Sequence, residues 1–411
     1  MTSATTVLLV SSLPTAGTAT AGGGAVRASS LAAAALLALA PVSGASQQVV
    51  EIGDRISCRA CTIEAGVPVT LAPPLDHVYF TSLPPPHVMR DREGNYITAR
   101  VSGDALFAVF EADGTYRSSY GRFGEGPGEF ASIPRAIAVG ESDVIYAIDG
   151  LHLHTLAPQA ERMLRDKVRL PEPLVGRHAV VLKSGIAVQA PLRTTAGITT
   201  VQILEPDGTI QASVGIADLE ANDLRSQSEN PRPIRGNINL RRVLGKSNDD
   251  ADVWIASFDR YQVVRYGPDG EEKTRIERVS EWVQLLPLSS STPGAPFSAP
   301  ADRRLLGIRQ DADGLLWISI SRAPTSFSPV ADERPPGVER RRDPFTDMNQ
   351  FVHMTVEVLD PVNGELVARR DFDEWVAFVN TVDDDVLVYS LHPDALGNID
   401  CVIRPLKLRR P

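Results

Sequence analysis

Three groups of residues in this 411-residue chain have types and spacings that could do chemistry. The first is YGRFGEGPGEF, Tyr120 to Phe130, whose four glycines could cradle a phosphate with backbone N–H groups. It lacks the Lys-Ser/Thr ending of a P-loop, and its spacing is Gly-x-Gly-x-Gly rather than G-x-G-x-x-G. It also runs into ASIPRAIAVG, a strand headed by proline, where a phosphate loop needs a helix N-terminus. The stretch therefore reads as a connector. The second group is His152 and His154 in GLHLHTL, which alternate, share a strand face and could ligate a metal together. No carboxylate can be placed beside them from spacing alone, so no metal site is assigned. The third is Cys58 and Cys61 in CRAC, the candidate disulfide pair. Reduced buried thiols, or a link from Cys401 to one of the couple, are the alternatives. A redox dithiol belongs at a strand-to-helix junction, and SCRACTIEAGVPVTL reads as strand and loop. A zinc site would need further ligands that no neighbouring histidine supplies.

Two further patterns carry less. Asp383-Asp384-Asp385 resembles a calcium loop in charge but lacks its glycine and distal glutamate, so it reads as a polar hairpin turn. No G-x-S-x-G nucleophile elbow occurs. No cofactor is implied by any of these residues.

The elements that would position such groups are almost all strands. Past residue 46, short apolar or alternating runs are separated by Gly, Pro, Asp and Asn clusters. Four turns repeat: EADG ends at Gly114, EPDG at Gly208, GPDG at Gly270 and DPVNG at Gly364. Asp-Gly and Asn-Gly supply the positive φ that tight hairpins demand. A second hairpin type precedes each, as in AIAVGESDVIYAID and LLGIRQDADGLLWISIS, and six copies occur. A degenerate turn near Ala160 sets the period at about 47 residues, the length of a propeller blade. The surplus later in the chain falls into two aperiodic insertions, 289–302 and 322–350.

Two hairpins per unit, repeated six times, give an all-β fold: a six-bladed β-propeller of four-stranded antiparallel blades. The last unit, ending in DCVIRPLKL, provides three strands, so an early strand such as GVPVTL (66–71) is expected to close the ring. The expected organisation is a leader over 1–46, an N-terminal segment with the CxxC pair and closing strand over 47–86, and the propeller over 87–411.

Composition sets the context. There are 41 Lys+Arg against 51 Asp+Glu, a formal charge of −10, which argues against nucleic acid or an anionic membrane as partner. The first 46 residues hold no Asp or Glu and one basic residue, Arg27, before LAAAALLALAPV and the small residues SGAS. That pattern is a secretory signal, and the expected location is exported, periplasmic or extracellular. The apolar run is too short to span a bilayer unaided, and no later segment is apolar enough.

Residues 120–149, YGRFGEGPGEFASIPRAIAVGESDVIYAID, resemble the repeat of NHL-type propellers, in which a Gly-rich stretch, an aromatic, a proline, a strand, a polar turn and a strand ending in Asp follow in order. Gly124, Gly126, Pro127, Gly128, Phe130, Pro134 and Asp149 fit that order, and DDDVLVYSLHPDALGNID is similar to the closing blade of exported bacterial six-bladed propellers. The resemblance implies that the glycines reverse the chain between blades, with Phe130 tucked beneath, and that Asp149 binds local backbone amides.

Strand alternation places the glycine stretch and both insertions on one face and the short DG turns on the other. Long loops are where function concentrates, so the insertion face near the channel mouth is the expected binding surface. Candidates on it are Arg122, Arg135, His152, His154, Arg340, Arg341 and Arg342. The expected role is a non-enzymatic one, presenting this face to a protein, peptide or glycan. The alternative is a metal-dependent propeller enzyme of the lactonase, hydrolase or lyase type. Such a site needs acidic, amide or histidine ligands projecting from several innermost strands into the channel. Those strands offer mainly apolar residues, with Arg135, His178, Arg309 and Asn380 as polar exceptions.

Overall fold

The computed structural model describes residues 48–411 apart from 75–77, 82–85, 100, 104, 127, 141, 158–163, 175, 177, 195–196, 217–241, 250, 258–259, 279–302, 323, 325–348, 350–351 and 395–397. The expected leader, insertion 289–302, nearly all of insertion 322–350 and the run Arg340, Arg341, Arg342 lie outside the described residues.

The described residues form six antiparallel sheets in a ring, the six-bladed propeller expected from the repeat. The first blade holds His87–Arg90, Tyr96–Ala99, Phe107–Phe110 and Tyr116–Tyr120, and the second Ala136–Val139, Ile145–Ile148, His152–Leu156 and Leu164–Arg169. The third holds Ala179–Leu182, Gly185–Thr194, Gly197–Leu204 and Ile210–Ile216. Arg242–Lys246, Val253–Ser257, Gln262–Tyr266 and Glu272–Glu277 make the fourth. Leu305–Gln310, Leu316–Arg322, His353–Asp360 and Glu365–Phe372 make the fifth. The sixth starts at Ala377–Phe378 and continues through Leu387–Pro393 and Ile399–Arg409. Each blade runs from the axis outward, and each hydrophobic cluster lies between neighbouring blades. Leu244, Val253 and Ile255 of the fourth blade pack on Val201 and Ile203 of the third, for example. Strands such as Ala136–Val139 are therefore buried on both faces, which is why they read as unbroken apolar runs.

The outer hairpins turn as their sequences dictate: Gly114, Gly208, Gly270 and Gly364 have φ of +90°, +84°, +81° and +69°. At Gly114 the missing side chain matters twice, because a Cβ there would also lie 2.2 Å from the Thr70 carbonyl oxygen.

Ring closure uses more of the N-terminal segment than one strand. Gln48–Glu51 adds a parallel strand to the outer edge of the fourth blade, with Val50 opposite Ile276. Ile56 then bridges Leu366 on the outer edge of the fifth blade, and the Ser57 N–H donates to the Leu366 carbonyl at 2.8 Å. Thr62–Ala65 and Val69–Leu71 both pair antiparallel with Ile399–Arg409 and complete the sixth blade. The segment is a strap across three successive blades. Cys58 and Cys61 form a disulfide within it, at a Cα separation of 5.3 Å, while Cys401 is a buried free thiol opposite Leu71.

Under the strap lies a buried charge cluster between the fourth and fifth blades. Glu357, with its side chain fully buried, accepts hydrogen bonds from Tyr261 Oη at 2.7 Å and Arg369 Nε at 2.8 Å, and from Arg278 Nη1. The equally buried Arg278 donates to Asp54 of the strap at 2.5 Å. Burial works against the Arg278 charge, but the Glu357 carboxylate outweighs it and the guanidinium pKa rises. Burial, seconded by Glu357, pushes the Tyr261 phenol well above its ordinary value.

Candidate functional site

The innermost strands of all six blades enclose an axial cavity of about 410 Å³, within the roughly 300–1,000 Å³ of small-ligand pockets. Its walls are mainly apolar, with Val88, Ile137, Val181, Leu306 and Phe378 from five different blades. Two glycines let the inner strands approach. A Cβ on Gly245 would lie 2.7 Å from the Ile308 carbonyl oxygen, and one on Gly307 would lie 2.6 Å from the Phe378 ring. Asn380, just past the inner strand of the sixth blade and paired in parallel with Met89 of the first, donates from Nδ2 to the Ala179 carbonyl of the third at 3.4 Å. This bond ties the junction of the sixth and first blades to the third blade.

The polar lining is one-sided in charge. His87, His178 and Arg242 sit where inner strands begin, on the insertion face, and Lys183, Lys246 and Arg309 where they end. Among the described lining residues there is no aspartate or glutamate. This donor set does not suit a hard divalent cation, which takes oxygen ligands. Of the four polar residues that the sequence singled out on the inner strands, His178, Arg309 and Asn380 line the cavity, and Arg135 is exposed outside it. Sequence reasoning missed Lys183, Lys246 and Arg242. The signal was present, because inner strands close on a basic residue in HVMR, VVLK, VLGK and GIR.

The other sequence candidates gather at the first inter-blade junction. The glycine stretch follows Tyr116–Tyr120 and leads into Ala136–Val139, so it joins the first blade to the second. Within it, Arg122–Phe123 pairs parallel with Glu129–Phe130, and exposed Arg122 is bound to Glu129 at 2.7 Å. Phe130 is 1% exposed, packed on Phe107 and stacked on His154 at 4.2 Å between ring centroids. His152 and His154 lie on the third strand of the second blade, and tertiary structure brings them the carboxylate that spacing could not place. Asp149 Oδ2 is 2.9 Å from His154 Nε2, and Oδ1 is 3.5 Å from His152 Nδ1.

The three residues offer ligand atoms that all lie within 4.8 Å of one another, which makes them the one such group among the described residues. The Asp149 oxygens are already engaged, however. Oδ2 accepts from Ala131 N and His154 Nε2, and Oδ1 from Leu151 N and His152 N. A metal would have to displace the bond to His154. As it stands the group locks the turn between two strands and pins it to the glycine connector. Burial works against the Asp149 charge, but the bonds from His154 and the His152 N–H outweigh it, so the carboxyl sits far below the usual carboxylate range. A folded pKa below the unfolded value stabilises the fold above about pH 4 and loses that contribution as pH falls further. Asp149→Asn is therefore expected to cost about 1–3 kcal/mol at pH 7. Urea denaturation from pH 7 to pH 3 should show the gap to wild type narrowing below about pH 4; a constant gap would remove the charge from this account.

Fold and axial cavity together define the class: a six-bladed β-propeller with an axial cavity. No family model matches the chain, and no curated protein matches it. Among solved structures, a member of the DUF4221 family from Bacteroides vulgatus is similar at a TM-score of 0.57 and 9% identity, over 86% of this chain and 99% of that one. A gluconolactonase from Xanthomonas campestris gives a TM-score of 0.41 at 13% identity, over 84% of this chain and 99% of that one. Regucalcin, a calcium-binding protein from Agrobacterium tumefaciens, gives 0.41 at 13%, over 88% and 97%. At these identities the likeness is one of fold.

Proposed function

We propose that the protein is an exported, non-enzymatic binding propeller of the NHL-like kind, whose insertion-bearing face meets a protein, peptide or glycan and whose axial cavity receives an apolar part of that ligand. The observation that carries this reading is the axial cavity: it is of ligand size, mainly apolar, and free of carboxylates among its described lining residues. A lactonase- or lyase-type enzyme would need an axial metal, and the described lining offers such an ion His87, His178 and Asn380 but no carboxylate. The insertions 289–302 and 322–350, with Arg340, Arg341 and Arg342, and the junction residues Arg122, Arg135 and His152 are the surface assigned to the partner; His154, a candidate from the sequence, is fully buried against Asp149 and Phe130 and is not part of that surface. Export rests on the leader pattern of residues 1–46.

The cavity is tested with a neutral apolar probe, N-phenyl-1-naphthylamine, followed by fluorescence. One probe per chain is expected, and Leu306→Trp, which fills the cavity, is expected to weaken binding at least tenfold. Undiminished binding by that variant would move the site elsewhere. A stoichiometric divalent ion at the axis of the purified protein would overturn the non-enzymatic reading.

A further inference from the structure

The two ends of the axial cavity differ in a way the loop insertions do not foretell. Inner strands of three consecutive blades deliver a cation to the same end, the one that carries the short turns. Lys183 follows Ala179–Leu182 of the third blade, Lys246 ends the inner strand of the fourth, and Arg309 lies one residue from the end of that of the fifth. The fourth and fifth inner strands are closely packed, since the Gly245 Cα hydrogens face the Ile308 carbonyl, and Lys246 and Arg309 are the next residues along. Lys183 is exposed, so the cavity meets solvent at this end.

Four of the acidic groups near this mouth are engaged by other cations. Asp383 and Asp385 are bound by Arg90 of the first blade, at 3.2 and 2.8 Å. Asp249 and Asp252, in the turn after Lys246, are engaged by Arg265 at 3.5 and 2.7 Å, and Asp252 also by Lys273 at 2.8 Å. Arg309 itself donates to the Thr381 hydroxyl and the Asp383 carbonyl, both neutral oxygens, and its Nε is buried with no hydrogen-bond partner. Burial draws the guanidinium pKa below its ordinary value, against the pull of Asp383, Asp384, Asp385 and Asp311. A half-buried cation without a carboxylate in contact is costly, and an anion brought by a ligand relieves that cost. In a chain of formal charge −10, this concentration of positive charge inside the channel runs against the whole.

We propose that the short-turn end of the axial cavity is an anion site, in which Lys183, Lys246 and Arg309 hold one oxyanion head group of a ligand whose apolar remainder fills the cavity. The proposal rests on the axial cavity being a ligand site and adds the chemistry of what enters it. Such a ligand is an amphipathic organic acid, with its charge toward the short turns and its body toward the insertion face.

The test compares two probes that differ by one sulfonate: neutral N-phenyl-1-naphthylamine and anionic 8-anilinonaphthalene-1-sulfonate. The full chain is expected to bind the sulfonate at least tenfold more tightly. Arg309→Met is expected to abolish that preference while leaving the affinity for the neutral probe within twofold. The double variant Lys183→Met with Lys246→Met, which leaves the Arg309 hydrogen bonds in place, is expected to do the same if Arg309→Met fails to fold. Equal affinities for the two probes, or a preference that survives the double variant, would overturn the anion site while the cavity reading stands. Failure of both probes to bind, or binding insensitive to Leu306→Trp, would overturn the cavity reading itself.

Discussion

Removal of residues up to and including Leu71 is expected to yield a chain that no longer unfolds cooperatively and that associates in solution. The strap supplies the fourth strand of the sixth blade through Thr62–Ala65 and Val69–Leu71, both on Ile399–Arg409. Without it that strand becomes an open edge eleven residues long, a template for pairing with another chain. The outer edges of the fourth and fifth blades lose their contacts at Val50 and Ile56 at the same time. Leu71, fully buried, anchors the end of the strap, and Leu71→Ala alone is expected to cost about 2–5 kcal/mol. Far-UV circular dichroism on heating and size-exclusion chromatography read both effects. A truncated chain that stays monomeric with the wild-type midpoint would show that five complete blades hold the ring without the strap.

Glu357→Ala is expected to be the most damaging single substitution, at about 3–5 kcal/mol, because it removes the carboxylate that compensates the fully buried Arg278 charge. The carboxylate holds Arg278, Arg369 and the Tyr261 hydroxyl together, and its own side chain and that of Arg278 are fully buried. Deleting it leaves two guanidinium groups and one hydroxyl short of a partner. Glu357→Gln keeps the shape and part of the hydrogen bonding but not the charge, so its cost should fall between wild type and alanine. Because Arg278 also grips Asp54, loss of Glu357 should loosen the strap, and proteolysis near Asp54 should quicken in the variant. A stability loss below 1 kcal/mol, measured by urea denaturation, would mean that water or another group reaches the cluster.

The site was legible to different depths. Arg309, His178 and Asn380 could be named because inner-strand positions follow from the hairpin repeat, and any polar residue there stands out against Val, Ile and Ala. Lys183 and Lys246 occupy equivalent strand ends but do not stand out, because a lysine beside a turn ordinarily reads as a solvated charge. What gives them meaning is the closure of the ring, which turns three strand ends far apart in sequence toward one axis. His152 and His154 show the same limit from the other side. Their alternation predicts a shared face, but Asp149 comes to them only because the turn at Gly150 folds back on the strand, with a φ of +101°.

By itself the sequence determined the number of blades, the hairpin turns, the connector role of the glycine stretch and the need for an N-terminal strand to close the ring. These are local matters: a positive-φ glycine, a two-residue alternation and a blade-length repeat are written in neighbouring residues. Only the tertiary structure decided that the closing segment straps three blades, that Glu357 meets Tyr261 across 96 residues and Arg278 across 79, and that the channel is cationic at its short-turn end. Those depend on which blade lies beside which and on what remains buried once the ring has closed, and no stretch of chain encodes that alone.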